Sequence, residues 1–412
     1  MRVADSISRL AAILGQTTPF AIRLPGGQTR YYGTGEPAFE VHFKNARAIR
    51  DTITRASLGF GDAFVAGEIE VTGDLAALAR VGFEAGRRRF TGALPRRLLY
   101  SLAFRSRRNT RANSRRNIAA HYDLSNNFFE HWLDTEMQYT CAYFDSPHDS
   151  LETAQLRKMD RVCQKLALAP GETVVEAGGG WGGLALHMAR KYRVRVRSFN
   201  ISSEQIAFAR SRARQFGIAA DQLEYIEDDY RNIPQHVAQC DKFASICMLE
   251  HVGRENIGGL LEIVSKTVRD KGLALLQFIS RTKPSAFPNP WLEQRVFPGY
   301  YNPSLAEVIA AVESFTEPMH VLDVENMRYH YALTLRHWLE RLERSGDIIA
   351  NTFGEPILRM FRLYLAGGLA DFTEGRGTMV YQLLLGAGAD NEAALHRARR
   401  LTEGYGLAGA DE

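Results

Sequence analysis

The glycine run in the middle of this chain is where residue types and spacing first suggest chemistry. Val174-Val175-Glu176-Ala177-Gly178-Gly179-Gly180-Trp181-Gly182-Gly183-Leu184 reads as a buried strand, a glycine loop and the start of a helix. Val174 and Val175 are β-branched and favour a strand. Gly178, Gly179 and Gly180 let the backbone turn sharply and approach a ligand closely. Free N–H groups at the start of the following helix would face an anionic or polar group. The pattern is E-x-G-x-G. It is neither G-x-G-x-x-G nor a Walker A sequence, and no Gly-Lys-Ser/Thr follows, which argues against a nucleoside triphosphate. At the first strand of an α/β domain this spacing suits S-adenosylmethionine better than NAD; an ordinary glycine turn is the plain alternative.

Such a loop needs a sheet to hold it, and the flanking sequence supplies one. Strands are predicted at Thr173–Glu176, Val194–Phe199, Leu223–Ile226, Phe243–Cys247 and Ala274–Phe278. They alternate with helices at Leu151–Leu168, Gly182–Lys191, Ser203–Gln215 and Ile257–Val268, which implies an α/β fold built on a doubly wound parallel sheet. Ligands of such sheets sit at the carboxyl ends of the strands. The predicted organisation is a small mixed domain over residues 1–85, a basic amphipathic linker over 86–117, a catalytic domain over 118–390, and a helix with a loose tail over 391–412. In the first domain, strand-like runs at Phe20–Leu24 and Phe39–Phe43 and a helix at Ala46–Thr54 surround no catalytic constellation; the role expected there is structural or lipid-contacting.

Charge is unevenly distributed. Between Ala85 and Asn117 there are eleven arginines, Arg87, Arg88, Arg89, Arg96 and Arg97 among them, and no acidic residue. Leu94, Leu98 and Leu102 recur on one helical face among these arginines. A basic amphipathic segment suits an anionic membrane phospholipid surface; a solvated linker and a nucleic-acid contact are the other readings, the last the least favoured. No apolar run approaches the ~20 residues that span a bilayer, and Asp5 and Arg9 stand where a signal peptide needs an apolar core. Cys141, Cys163, Cys240 and Cys247 form no C-x-x-C pair, so neither a zinc cluster nor a disulfide framework is indicated. The expectation is a cytoplasmic protein associated peripherally with the inner face of the membrane.

Several further blocks occur in one order: His121-Tyr122-Asp123-Leu124-Ser125-Asn126-Asn127-Phe128-Phe129, Met137-Gln138-Tyr139-Thr140-Cys141-Ala142-Tyr143-Phe144, Leu151-Glu152-Thr153-Ala154-Gln155, the glycine loop, Ile201-Ser202-Ser203-Glu204-Gln205, Asp228-Asp229-Tyr230-Arg231 and Leu249-Glu250-His251-Val252-Gly253. Together they resemble the cyclopropane fatty acid synthases and mycolic acid cyclopropane synthases, over about residues 20 to 387. The resemblance implies a Rossmann-like methyltransferase with helical insertions, plus a smaller N-terminal mixed domain. It also implies transfer of the methyl(ene) carbon of S-adenosylmethionine to the double bond of an unsaturated phospholipid acyl chain. By the same resemblance, Tyr139, Gly178, Gly180, Asn200, Gln205, Asp228 and Asp229 would contact the cofactor. Cys141, Glu250 and Tyr331 would form a site for bicarbonate, the base in this family. Tyr122, Tyr139, Tyr143 and Phe144 are candidates for stabilising a carbocation on the substrate, because aromatic faces attract a cation without quenching it. A homodimer is a plausible assembly.

One departure from the family pattern falls at the expected base site. Gln277 stands where histidine is usual, and glutamine cannot titrate near neutral pH. A methyl-branched or methylene product, with the proton lost from a neighbouring chain carbon, is therefore the alternative to a ring. A non-lipid methyltransferase and a non-catalytic lipid-binding relative are the remaining alternatives. Glu176 and Gly179 replace the commoner aspartate and cysteine, and Gly179 is expected to change little.

Overall fold

The computed structural model describes residues 12–90, 125–283, 289–315, 319–374 and 377–388, with position 396; the side chains of 86–90 are not described. Tyr122, Arg96 and Arg97, and the side chains of Arg87, Arg88 and Arg89, thus lie outside the described residues. So does most of the basic segment.

The chain divides into two compact units. The first holds β1 (Phe20–Arg23), β2 (Thr29–Tyr32), β3 (Phe39–Phe43), α1 (Ala46–Arg55), α2 (Ser57–Val65), β4 (Ile69–Gly73) and α3 (Leu75–Phe90). Its four strands form a sheet in the order β2-β1-β3-β4. Alternate residues of β3, Phe39, Val41 and Phe43, are buried in its core, the period-two pattern of a half-buried strand. Asn45 caps α1 by accepting from the Ala48 N–H at 2.8 Å.

The expected boundary near residue 85 does not enclose this unit, because residues 286–297 and 335–376 belong to it as well. The reason is specific packing. Arg359, on the helix Glu355–Thr373, donates to the carbonyls of Phe64 (2.6 Å) and Ile69 (2.5 Å) and pairs with Glu70 at 3.2 Å. The ring of Trp291 fills the space a side chain at Gly61 would need. A reading made along the chain cannot see a domain completed by a distant segment.

The second unit carries the larger sheet. Its elements are α4 (Asn126–Glu130), α5 (Leu151–Lys165), β5 (Thr173–Ala177), α6 (Gly183–Tyr192), β6 (Arg195–Asn200), α7 (Ser203–Gln215), β7 (Leu223–Glu227), β8 (Cys240–Ile246), α8 (Ile257–Thr267), β9 (Val268–Arg281), α9 (Leu305–Glu313), β10 (Met319–Asn326), the first turns of α10 (Arg328–Arg344), and β11 (Thr378–Ala387). The seven strands run in the order β10-β11-β9-β8-β5-β6-β7. From β9 to β7 they are parallel, as predicted. β10 and β11 extend the sheet with antiparallel pairing that the sequence reading did not foresee. Both faces are covered: Val174 packs in one apolar cluster and Val175 in another, so the strand is apolar throughout and not alternating. The order places the ends of β5, β6, β8 and β9 beside one another, where the connecting loops gather.

Candidate active site

A pocket opens beyond the carboxyl ends of β5, β6 and β8. It is lined by a strap at 137–140, the glycine loop at 178–181, Asn200, Gln205, and the segment after β8 that holds Cys247 and His251. Backbone conformation shapes it. Gly178 (φ +85°) and Gly180 (φ +54°) are left-handed, and so are two non-glycine residues of the lining, Met137 (φ +54°) and Cys247 (φ +53°). Left-handed non-glycine backbone is unfavourable and tends to persist where a site requires it. A side chain at Gly178 would press on Met248 at 2.9 Å. At Gly180 a Cβ would meet nothing within 4 Å, so a side chain there would enter the open pocket.

Side chains then lock the loop. Asn200 Nδ2 donates to the Gly180 carbonyl (3.1 Å) and to Gln205 Oε1 (2.8 Å), while its Oδ1 accepts from the Ile201 N–H (2.8 Å). Glu176 is buried beneath the loop and accepts from Ser198 Oγ at 2.6 Å. Burial pushes its carboxyl up to about 7. A Cβ at Gly179 would sit 2.0 Å from Ser198 Oγ and 2.9 Å from Glu176 Oε2. This corrects the expectation that Gly179 matters little: the Glu176–Ser198 pair occupies the room that a side chain at 179 would use.

Beside the pocket, at the ends of β8 and β9, lies a second cluster. The Gln277 amide donates from Nε2 to Cys247 Sγ at 3.6 Å and accepts at Oε1 from Gln382 Nε2 at 2.9 Å. Both glutamines are buried, and they are direct cross-strand partners on β9 and β11. Glu250 is buried too; its Oε1 accepts from the Ile279 N–H at 2.5 Å, and its Oε2 has no hydrogen-bond partner among the described residues. Burial pushes this carboxyl up to about 7. Burial pushes the Cys247 thiol up to about 12 and raises Cys141 as well, with Cys247 a further cause, so neither is a thiolate nucleophile near neutral pH. His251, in the pocket lining, is pushed down to about 4 by burial and is neutral.

The cradle of left-handed glycines, the amides of Asn200 and Gln205 and the aromatic Tyr139 fit S-adenosylmethionine, an extended molecule with polar ends and a cationic sulfonium between them. Residues 109–383 match the family model described as mycolic acid cyclopropane synthetase. The chain belongs to that family. Residues 13–91 match a second model, described as a domain of unknown function. A probable fatty acid methyltransferase of Pseudomonas putida is 35% identical over 323 residues, covering 76% of this chain and 79% of that protein. The cyclopropane-fatty-acyl-phospholipid synthase of Escherichia coli (strain K12) is 31% identical over 365 residues, covering 87% and 90%. The crystal structure of mycolic acid cyclopropane synthase CmaA1 complexed with SAH and CTAB matches with a TM-score of 0.60 at 26% identity, over 66% of this chain and 98% of that one. By family and fold the protein is an S-adenosylmethionine-dependent methyltransferase, and the family's chemistry is methylation of lipid acyl chains.

Within this synthetase-family fold the predicted site residues separate. Tyr139, Gly178, Gly180, Asn200 and Gln205 come together in the pocket lining. Glu250 and Gln277 both act on Cys247, Gln277 by a hydrogen bond and Glu250 through its charge. Cys141 and Tyr331 share one acceptor, the Met327 carbonyl, reached by Cys141 Sγ at 3.7 Å and the Tyr331 N–H at 3.0 Å. Asp228 and Asp229 are not in the lining. Asp228 is engaged by His236 (2.9 Å) and Asn232 (2.8 Å), and Asp229 accepts from the Arg231 N–H while pairing with its guanidinium at 2.9 Å. Tyr143 lies outside the lining as well: its ring is stacked on His330 at 4.2 Å and carries the Arg161 guanidinium at 4.5 Å. Phe144 is buried outside the lining, its N–H bonded to His330 Nδ1. The sequence reading assigned no role to Lys158, Gln382 or His251. For Lys158 a signal existed: it falls with Leu151, Ala154, Gln155 and Val162 on the buried stripe of α5, where a lysine needs a reason.

Proposed function

We propose that this protein transfers the methyl carbon of S-adenosylmethionine to the double bond of an unsaturated acyl chain in a membrane phospholipid, closing a cyclopropane ring. When bound, S-adenosylmethionine supplies an electrophilic methyl group. Gly178, Gly180, Asn200 and Gln205 would hold it, with the Tyr139 ring in the same lining. Ring closure requires loss of a proton from the added methyl, and the observation that carries the reading is Glu250. A buried carboxyl near neutrality, with one oxygen lacking a partner among the described residues, is suited to accept or relay that proton. Bicarbonate would find Glu250 Oε2 as an acceptor and the Gln277 Nε2–H as a donor, and would supply a general base. Association with an anionic membrane through the 86–117 segment, and a homodimer, belong to the same proposal.

One observation favours a second outcome. Gln277 cannot titrate, and Gln382 holds its oxygen, so Gln277 offers the site a donor and no base. With a weaker base beside the methyl, loss of a chain proton would leave a methyl-branched alkene. The test is incubation with vesicles of monounsaturated phosphatidylglycerol and methyl-labelled S-adenosylmethionine, followed by release of the acyl chains. Label in the acyl chain is expected. Label confined to the headgroup, or no labelled lipid with cofactor bound, would overturn the proposal.

A further inference from the structure

The Leu151–Gln155 block resembles the family by order, yet Gln155 lies outside the pocket lining. Gln155 and Lys158 stand one turn apart on α5, and both are fully buried. Gln155 Nε2 donates to the carbonyls of Gln138 (3.2 Å) and Thr140 (2.8 Å). Lys158 Nζ donates to Gln138 Oε1 (2.5 Å) and Thr140 Oγ1 (2.8 Å). The carbonyl and the side chain of both residues flanking Tyr139 are therefore tied to one face of one helix. The strap is fixed from its other side too: the Asp134 carboxylate accepts from the N–H groups of Glu136 and Gln138, each at 2.9 Å. Between these anchors Met137 is held left-handed.

A lysine is an expensive way to hold a strap. Its ammonium is withdrawn from water and hydrogen-bonded to two neutral oxygens, with the buried Asp134 carboxylate as an electrostatic partner, and burial still outweighs that attraction and pushes the group down to about 8. Stability alone therefore does not account for it. We infer that Gln155 and Lys158 are positioning residues that fix the Gln138-Tyr139-Thr140 strap against the bound cofactor, Gln155 through the strap's carbonyls and Lys158 through its side chains. This rests on the reading of the pocket as the S-adenosylmethionine site.

The test uses the full chain and two variants, Lys158→Met and Gln155→Met, with S-adenosylmethionine affinity from titration calorimetry and unfolding midpoints from thermal melts. The parent is expected to bind. Each variant is expected to bind about tenfold more weakly, roughly one hydrogen bond's worth of positioning, at a temperature well below its own unfolding midpoint, where the chain is folded. Binding within twofold of the parent in both variants would overturn the inference and leave the pocket assignment standing. A Lys158→Met chain that does not fold would also overturn it, since the lysine would then serve the fold. A parent that does not bind S-adenosylmethionine would overturn the pocket assignment itself.

Discussion

The two sides of the pocket are built from different materials. On the β5–β6 side, backbone does the work: left-handed glycines, a close approach to Met248, and neutral amides from Asn200 and Gln205. On the β8–β9 side, buried side chains do it: Glu250 with one oxygen lacking a partner among the described residues, and Gln277 pinned between Cys247 and Gln382. The first side recognises shape, and the electrostatic cost of its buried Glu176 carboxyl is partly offset by the Ser198 hydroxyl. The second stores that cost, because burying ionisable groups without full pairing is unfavourable. Binding and proton handling should therefore respond separately to mutation.

The largest separation is expected at Glu250. Its carboxyl has an ordinary value of 4.5 and is pushed up to about 7 in the fold. Between those values the folded chain binds more protons than the unfolded one, so this group's contribution lowers stability as pH rises from 4.5 to 7, and the penalty is complete above that. Glu250→Gln removes it. The variant is expected to gain about 1–3 kcal/mol over the parent at pH 8, and much less at pH 4.5, in denaturant titrations. Turnover is expected to fall by about 10²–10⁴, the range for removing a general acid or base, with cofactor affinity little changed. Equal stability of variant and parent at pH 8, with full turnover, would remove Glu250 from the account.

An intermediate effect is expected at Gly179. Gly179→Cys must displace Ser198 from Glu176, and should cost about 1–3 kcal/mol of stability, as overpacking does, together with cofactor affinity. The paired substitution Gly179→Cys with Glu176→Asp, which shortens the carboxylate, is expected to recover part of both. No recovery would mean that the two positions are independent.

The smallest contrast sharpens the outline of the binding side. Asn200→Ala should weaken S-adenosylmethionine binding by about 1 kcal/mol, one hydrogen bond's net worth. Asp228→Asn should leave it within about twofold, because that carboxylate is engaged with His236 and Asn232 away from the lining. The reverse order, read by calorimetry, would restore Asp228 to the cofactor and displace Asn200.

The same contrast explains what was legible in the sequence. Five parallel strands and their helices follow from apolar runs and 3.6-residue periodicity, and the glycine loop follows from its composition, since each is written in contiguous residues. β10 and β11 were not foreseen, being antiparallel additions that arrive after a long intervening stretch. The first unit was cut short at 85 because Arg359, far along the chain, supplies its carbonyls with donors. Tyr139 and Gln205, expected from their blocks, and Asn200, expected beside one, all line the pocket. Gln382 was not expected, because its meaning lies wholly in its cross-strand pairing with Gln277. The surroundings of Tyr143 are hidden for the same reason: Arg161 and His330, which lie on its ring, are distant in sequence. The left-handed Met137 and Cys247 carry no sequence mark at all, since neither residue type favours that conformation.

The central claim, that Glu250 serves the loss of a proton from the transferred methyl, is tested most directly with S-adenosylmethionine fully deuterated in that methyl group. The parent enzyme would act on monounsaturated phospholipid vesicles, and the released acyl chains would be analysed by mass spectrometry. The account predicts a cyclopropane ring that retains two deuteriums. A methyl-branched alkene that retains all three would contradict it, placing the proton loss on the chain and leaving Gln277 as the residue that decided the outcome.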